Sequence, residues 1–342
     1  MQRRRSVRTP LSLLAAAAVV GATLAVVLPS PVQAATSRIM GNDRYATAAT
    51  ASQHAFPNGS ETVFVASGQQ FVDALAAAPA AAQMDAPMLL TLHDDLPAAT
   101  VNELKRLQDT TVKLSKIVVV GGPSAVSDAV MIELQDYAGE VTRVFGADRY
   151  DTSVQLADAF LPATGGTVFV ASGQQFPDAL AGAATAGRDS APMLLTQTSS
   201  LPLTVKTELQ DLQPARVVLL GGTSAVTDDV KAQLEAIVGA GKVERFGGTD
   251  RYDTALRIAQ EFYDQVETAY LATGRNFPDA LAGSVLAALD GAPILLVPGD
   301  CLPAAVASEL DDLGKPNLVV LGGPSAVGDD VANGQICEAQ GD

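Results

Sequence analysis

Ala86-Pro87-Met88-Leu89-Leu90 decides the reading of this chain, because it recurs as Ala191-Pro192-Met193-Leu194-Leu195 and as Ala292-Pro293-Ile294-Leu295-Leu296. The copies lie 105 and 101 residues apart. Upstream, Phe71-Val72-Asp73-Ala74-Leu75 is matched by Phe176-Pro177-Asp178-Ala179-Leu180 and Phe277-Pro278-Asp279-Ala280-Leu281. Downstream, Gly121-Gly122-Pro123-Ser124-Ala125-Val126 is matched at Gly221-Gly222-Thr223 and Gly322-Gly323-Pro324. Several signals at one shared spacing define three tandem repeats.

Within a repeat, apolar runs alternate with helical patterns. Thr62-Val63-Phe64-Val65-Ala66, Pro87–Thr91 and Ile117–Val120 read as strands buried on both faces, as in a parallel sheet. Helices are expected from Phe71 to Met84, after Leu96-Pro97, and near Ser127. Pro177 and Pro278 fit the first turn of a helix, which places Asp73, Asp178 and Asp279 at the positive helix end. The pattern predicts an α/β fold of three Rossmann-like modules, each with a mainly parallel sheet. The expected divisions are a leader over 1–34 and repeats over 35–140, 141–242 and 243–342.

Each repeat opens alike, over Arg38–Thr47, Arg143–Thr152 and Arg245–Thr254, sharing Arg, Gly, Asp-Arg-Tyr and Thr at fixed offsets. Asp43, Asp148 and Asp250 stand where a helix N-cap is wanted. The six arginines, Arg38, Arg44, Arg143, Arg149, Arg245 and Arg251, admit two roles. They either brace the caps or present guanidinium forks to phosphate or carboxylate. Ligands of open α/β sheets collect beyond the carboxyl ends of the strands. Gln69, Gln174 and Arg275 are the polar candidates there, beside Gly-Gly turns whose amides favour anions.

The N-terminus reads as an export signal: Arg3, Arg4, Arg5 and Arg8 precede an apolar run from Leu11 to Leu28, and Val32-Gln33-Ala34 suits cleavage after Ala34. An uncleaved anchor is the competing reading. The whole chain carries a net charge of −16, and losing the four leader arginines would leave 18 basic against 38 acidic residues, or −20. Nucleic-acid binding needs a basic footprint and is excluded on this ground. Cys301 and Cys337 could pair in an oxidising compartment or stay as two buried thiols. His54 and His93 each occur in one copy only, so neither belongs to a repeated site, and no metal-ligand spacing is present. No cofactor motif appears: the Gly-Gly turn lacks the Lys-Ser/Thr ending of a nucleotide phosphate loop.

The opening motif, the Phe-x-Asp-Ala-Leu segment, the Pro-Ile-Leu-Leu-like strand and the Gly-Gly-x-Ser-Ala-Val turn together resemble the cell wall-binding repeat 2 family over about 38–334. The resemblance implies Rossmann-like modules in a compact pseudo-threefold arrangement. It also implies an exported, non-catalytic protein held non-covalently on the Gram-positive wall by an anionic secondary polymer, a polysaccharide or a teichoic-type chain. The family's Ile-Leu-Leu motif is implicated in attachment. Ile294, Leu295 and Leu296 match it in full, whereas Leu89 with Leu90 and Leu194 with Leu195 follow a methionine. Physically, an apolar strand of a parallel sheet is core before it is ligand contact. Two other classes are weighed. A surface adhesin or structural envelope protein would use the outward face toward another protein. A wall hydrolase would need a catalytic segment, and the leader and repeats leave none of that size.

Overall fold

The computed structural model describes residues 36–70, 72–161, 164–175 and 177–337. The leader over 1–34 lies outside them. The first stretch of chain gives β1 (Thr36–Ile39), α1 (Arg44–Ala55), β2 (Thr62–Ser67), α2 (Val72–Gln83), β3 (Met88–Thr91), α3 (Ala98–Asp109), β4 (Lys116–Val120) and α4 (Asp128–Leu134). The same order returns as β5 (Glu140–Val144), α5 (Arg149–Phe160), β6 (Thr167–Ser172), α6 (Pro177–Arg188), β7 (Met193–Thr196), α7 (Leu203–Leu212), β8 (Arg216–Leu220) and α8 (Asp228–Val238). It returns again as β9 (Val243–Phe246), α9 (Arg251–Phe262), β10 (Thr268–Thr273), α10 (Pro278–Leu289), β11 (Ile294–Val297), α11 (Ala304–Asp312), β12 (Asn317–Leu321) and α12 (Asp329–Ala332).

These strands make three separate four-stranded sheets, ordered β3-β2-β4-β5, β7-β6-β8-β9 and β11-β10-β12-β1, with every pairing parallel. The α/β reading with three parallel-sheet modules therefore holds. The sheets do not follow the sequence repeats, however. Each takes its fourth strand from the start of the following repeat, and β1 closes the circuit by pairing with β12, Ser37 beside Val319. The first and last repeats are thereby joined without a covalent link.

Burial explains the strand composition. Every residue of β2, β3, β7 and β11 is buried, as both-face coverage by helices requires. Leu89, Leu194 and Leu295 face outward beneath α3, α7 and α11, whereas Leu90, Leu195, Ile294 and Leu296, on the opposite face of their strands, enter a core shared by all three modules. At the centre of that core α2, α6 and α10 pack pairwise. Their alanine- and glycine-rich sequences make this possible. A Cβ built on Gly187 would stand 2.8 Å from Ala288 Cβ and 3.1 Å from Ala82 Cβ, so the three helices meet with no room for side chains. Cys301 and Cys337 form a disulfide that ties the C-terminal segment to the loop before α11. Among the described residues, no helix is long and apolar enough to cross a membrane.

Candidate functional site

The opening motifs build the site from a helix start. Asp43, Asp148 and Asp250 cap α1, α5 and α9, accepting from the amides of Ala46, of Tyr150 and Asp151, and of Tyr252 and Asp253. Each cap orients the arginine that follows. Arg149 Nη1 donates to the Gly173 carbonyl at 2.7 Å, and Arg44 and Arg251 donate likewise to Gly68 and Gly274. The adjoining tyrosines pack on those same glycines: a Cβ on Gly68, Gly173 or Gly274 would come 2.6–2.7 Å from the Cε1 of Tyr45, Tyr150 or Tyr252.

Opposite each opening motif stand the helix start and the Gly-Gly turn of the preceding repeat. Asp73, Asp178 and Asp279, in the first turns of α2, α6 and α10, lie against Gly121, Gly221 and Gly322. Those glycines have φ of +101°, +99° and +96°, and a Cβ on Gly121 or Gly221 would press within 2.7 or 2.6 Å of the aspartate Oδ2. Both the left-handed backbone and the carboxylate contact exclude a side chain. A threonine of the opening motif completes the join. Thr47, Thr152 and Thr254 accept from the amides of Gly41, Gly146 and Gly248.

The outcome is three equivalent clefts, each made by two repeats. One holds Asp73 and Gly122 with Asp148 and Arg149, a second Asp178 and Gly222 with Asp250 and Arg251. The third joins the ends of the chain, Asp279 and Gly323 with Asp43 and Arg44. Their volumes are about 210, 180 and 240 Å³. In the first, the cleft opens between the ends of β2 and β4, where the connection from β2 leaves toward one edge of the sheet and that from β4 toward the other, the position at which α/β folds bind ligands. Burial pushes the Asp73, Asp178 and Asp279 carboxyls upward, opposed by Arg149, by Thr254 and Arg251, and by Thr47 and Arg44. Each cleft thus offers carboxylate acceptors and a guanidinium donor side by side.

The sequence candidates fall into distinct places. Arg44, Arg149 and Arg251 line the clefts. Arg38, Arg143 and Arg245 do not; they clamp the Gly-Gly turn to the next helix. Arg143 Nη1 donates to Gly121 O at 2.9 Å and Val126 O at 2.7 Å, and Arg38 Nη1 to Gly322 O and Val327 O, both at 2.8 Å. Arg245 bonds to Gly221 O and Thr227 O, and the three pair with Asp128, Asp329 and Asp228. Gln69, Gln174 and Arg275 lie one position off: Gln174 Oε1 accepts from Thr198, Arg275 pairs with Asp300, and the clefts are lined by Gln70, Gln175 and Asn276. Leu89, Leu90, Leu194, Leu195, Ile294, Leu295 and Leu296 are at most 1% exposed, so their side chains meet core atoms. Sequence reasoning treated Asp73, Asp178 and Asp279 as helix-start residues; their recurrence before Ala-Leu in every copy was the available signal. Among the described residues, no cluster of three or more His, Cys, Asp or Glu could hold a metal ion.

Comparison with known proteins agrees with this architecture. N-acetylmuramoyl-L-alanine amidase LytC of Bacillus subtilis (strain 168) is 30% identical over 296 residues, covering 86% of this chain and 57% of its own length. Cwp8 from Clostridium difficile superposes with a TM-score of 0.79 at 30% identity, over 87% of this chain and 51% of that one. Cwp6 from Clostridium difficile gives 0.78 at 25% identity, over 88% and 48%. The chain thus spans about half the length of these relatives. The family model for Cell wall binding domain 2 (CWB2) matches residues 38–131, 143–231 and 245–332, so the three repeats make this chain a member of the CWB2 family of cell wall binding proteins.

Proposed function

We propose that the chain is exported and held non-covalently on the Gram-positive wall by an anionic secondary polymer that enters the three inter-repeat clefts, without catalysis of its own. The observation that carries this reading is the repeated pairing of one guanidinium with carboxylates and turn amides in each cleft. A hydroxylated anionic chain needs both: donors for its charged groups and acceptors for its hydroxyls. The net charge of −20 expected after leader removal repels such a chain at long range. That repulsion is screened beyond ~8–10 Å at physiological salt, whereas a partly shielded guanidinium fork acts at contact. Three sites on one body raise the effective concentration of the second and third contacts. LytC is named an amidase; the 296 residues shared with it have the extent of the three repeats, which supports a common binding region rather than common chemistry.

Sedimentation with purified wall tests the reading. Binding is expected to native wall and to vanish once secondary polymers are stripped. Changing Arg44, Arg149 and Arg251 together to lysine keeps the charge but removes the fork, and is expected to make binding weaker and more salt-sensitive. Equal binding to stripped wall would refute the proposal.

A further inference from the structure

Phe145 follows β5 on the lip of the cleft shared by the first and second repeats. Its ring rests on Gly122, since a Cβ built there would lie 3.2 Å from the ring Cδ2. Gly122 and its neighbour Gly146 both line the cleft. Yet Phe145 is 46% exposed, in a fold where Phe64, Phe169 and Tyr270 are wholly buried. The other two clefts differ at this position. Met40 takes it where the third repeat meets the first, also 46% exposed, with its sulfur 3.9 Å from a Cβ built on Gly323. Gly247 takes it between the second and third, leaving no side chain.

We propose that Phe145 is a stacking platform for a pyranose ring of the wall polymer, which makes the first cleft the tightest, the Met40 cleft intermediate and the Gly247 cleft weakest. The proposal rests on the clefts being the polymer site, and narrows the polymer to one built on sugar rings. A pyranose has an apolar C–H face and a polar rim. Laid on Phe145, it covers the exposed aromatic surface and turns its hydroxyls and acidic substituents toward Asp73, Arg149 and the turn amides. A polyol phosphate chain has no ring face to lay there. Methionine offers a softer apolar contact without a flat face, and glycine offers none.

The chain contains no tryptophan, so Phe145→Trp and Met40→Trp each introduce a single indole on one lip, which can be excited apart from the six tyrosines. Each would be titrated with glycan fragments released by mild acid from Gram-positive wall, and separately with poly(glycerol phosphate). The glycan is expected to shift Phe145→Trp emission at lower concentration than Met40→Trp, and the polyol phosphate to shift neither. Phe145→Ala should weaken glycan binding about fivefold to tenfold, the worth of covering half a phenylalanine, and Met40→Ala about twofold. Unchanged affinity in Phe145→Ala, while the triple arginine-to-lysine variant loses binding, would overturn the platform and leave the cleft reading standing. An equal response to poly(glycerol phosphate) would overturn the sugar-ring assignment. If the folded wild-type protein bound neither polymer, the cleft reading would fall with it.

Discussion

Glu208 is a buried carboxyl whose Oε1 has no hydrogen-bond partner, and Asp158→Gln should relieve it. In the first repeat the equivalent Glu103 accepts from Ser52, Gln53 and Arg106; in the third, Glu309 accepts from Gln260. In the second repeat the position of Gln53 and Gln260 is taken by Asp158, a second carboxyl. Burial first, then the charges of Asp158 and Asp211, raise the Glu208 pKa from 4.5 to about 7. A raised native pKa means that the folded state keeps a proton the unfolded chain releases. The stabilisation is complete below pH 4.5 and is lost as pH rises through about 7. At 1.36 kcal/mol per unit, the whole shift is worth about 3 kcal/mol. Burial, the larger cause, survives the substitution and Asp158 is exposed, so Asp158→Gln recovers only about 0.5–1 kcal/mol, roughly 1–3 °C in Tm for a chain of this size. Melting followed by circular dichroism at pH 5 and pH 8 reads it: the variant should match wild type at pH 5 and melt higher at pH 8. Parallel melting curves across that range would refute the reasoning.

Arg143→Ala should cost about 2–4 kcal/mol by orphaning the part-buried carbonyls of Gly121 and Val126, and a urea midpoint measures it. Reducing the Cys301–Cys337 bridge, which closes a 36-residue separation, should cost about 4 kcal/mol on the chain-entropy account; melting with and without dithiothreitol checks this. Gly182→Ala should destabilise by about 1–3 kcal/mol because the new Cβ strikes Leu220, and adding Leu220→Val should restore most of it, since the first repeat pairs Ala77 with Val120 at these positions.

Local patterns told the truth where local forces decide. The aspartate caps, the three apolar strands of each repeat and the burial of the leucines follow from backbone chemistry and two-sided coverage, and all are legible in sequence. The fourth strand is not. Glu140–Val144 is a short edge strand with only two apolar residues, neither in an unbroken run nor in strict alternation, and its partner β4 belongs to the preceding repeat. Nothing in Glu-Val-Thr-Arg-Val encodes that choice; packing does. The same blindness hid the clefts. Asp73 comes to line a cleft only when the next repeat brings Arg149 and Thr152 against it, and Arg143 becomes a clamp only because β5 lies beside β4. That Gln70 rather than Gln69 lines the cleft was also hidden, because the direction of a side chain leaving a strand end is set by the turn, here by Ser67 Oγ accepting from the amides of Gln69 and Gln70.

The borrowed strand also changes what a repeat means for binding. A chain of independent modules would lose one site per module removed. Here every cleft spans a junction, and the junction between third and first repeats is made by β1 on β12 and by Arg38 reaching Gly322, Val327 and Asp329. Removing any one repeat therefore breaks two junctions out of three. The remaining pair can restore the circuit only if its sheets accept a foreign fourth strand. Loss of one repeat should accordingly abolish avidity rather than reduce it stepwise, and it should lower stability as well. Ring closure and cleft formation are coupled because the elements that close the ring are the ones that form the clefts.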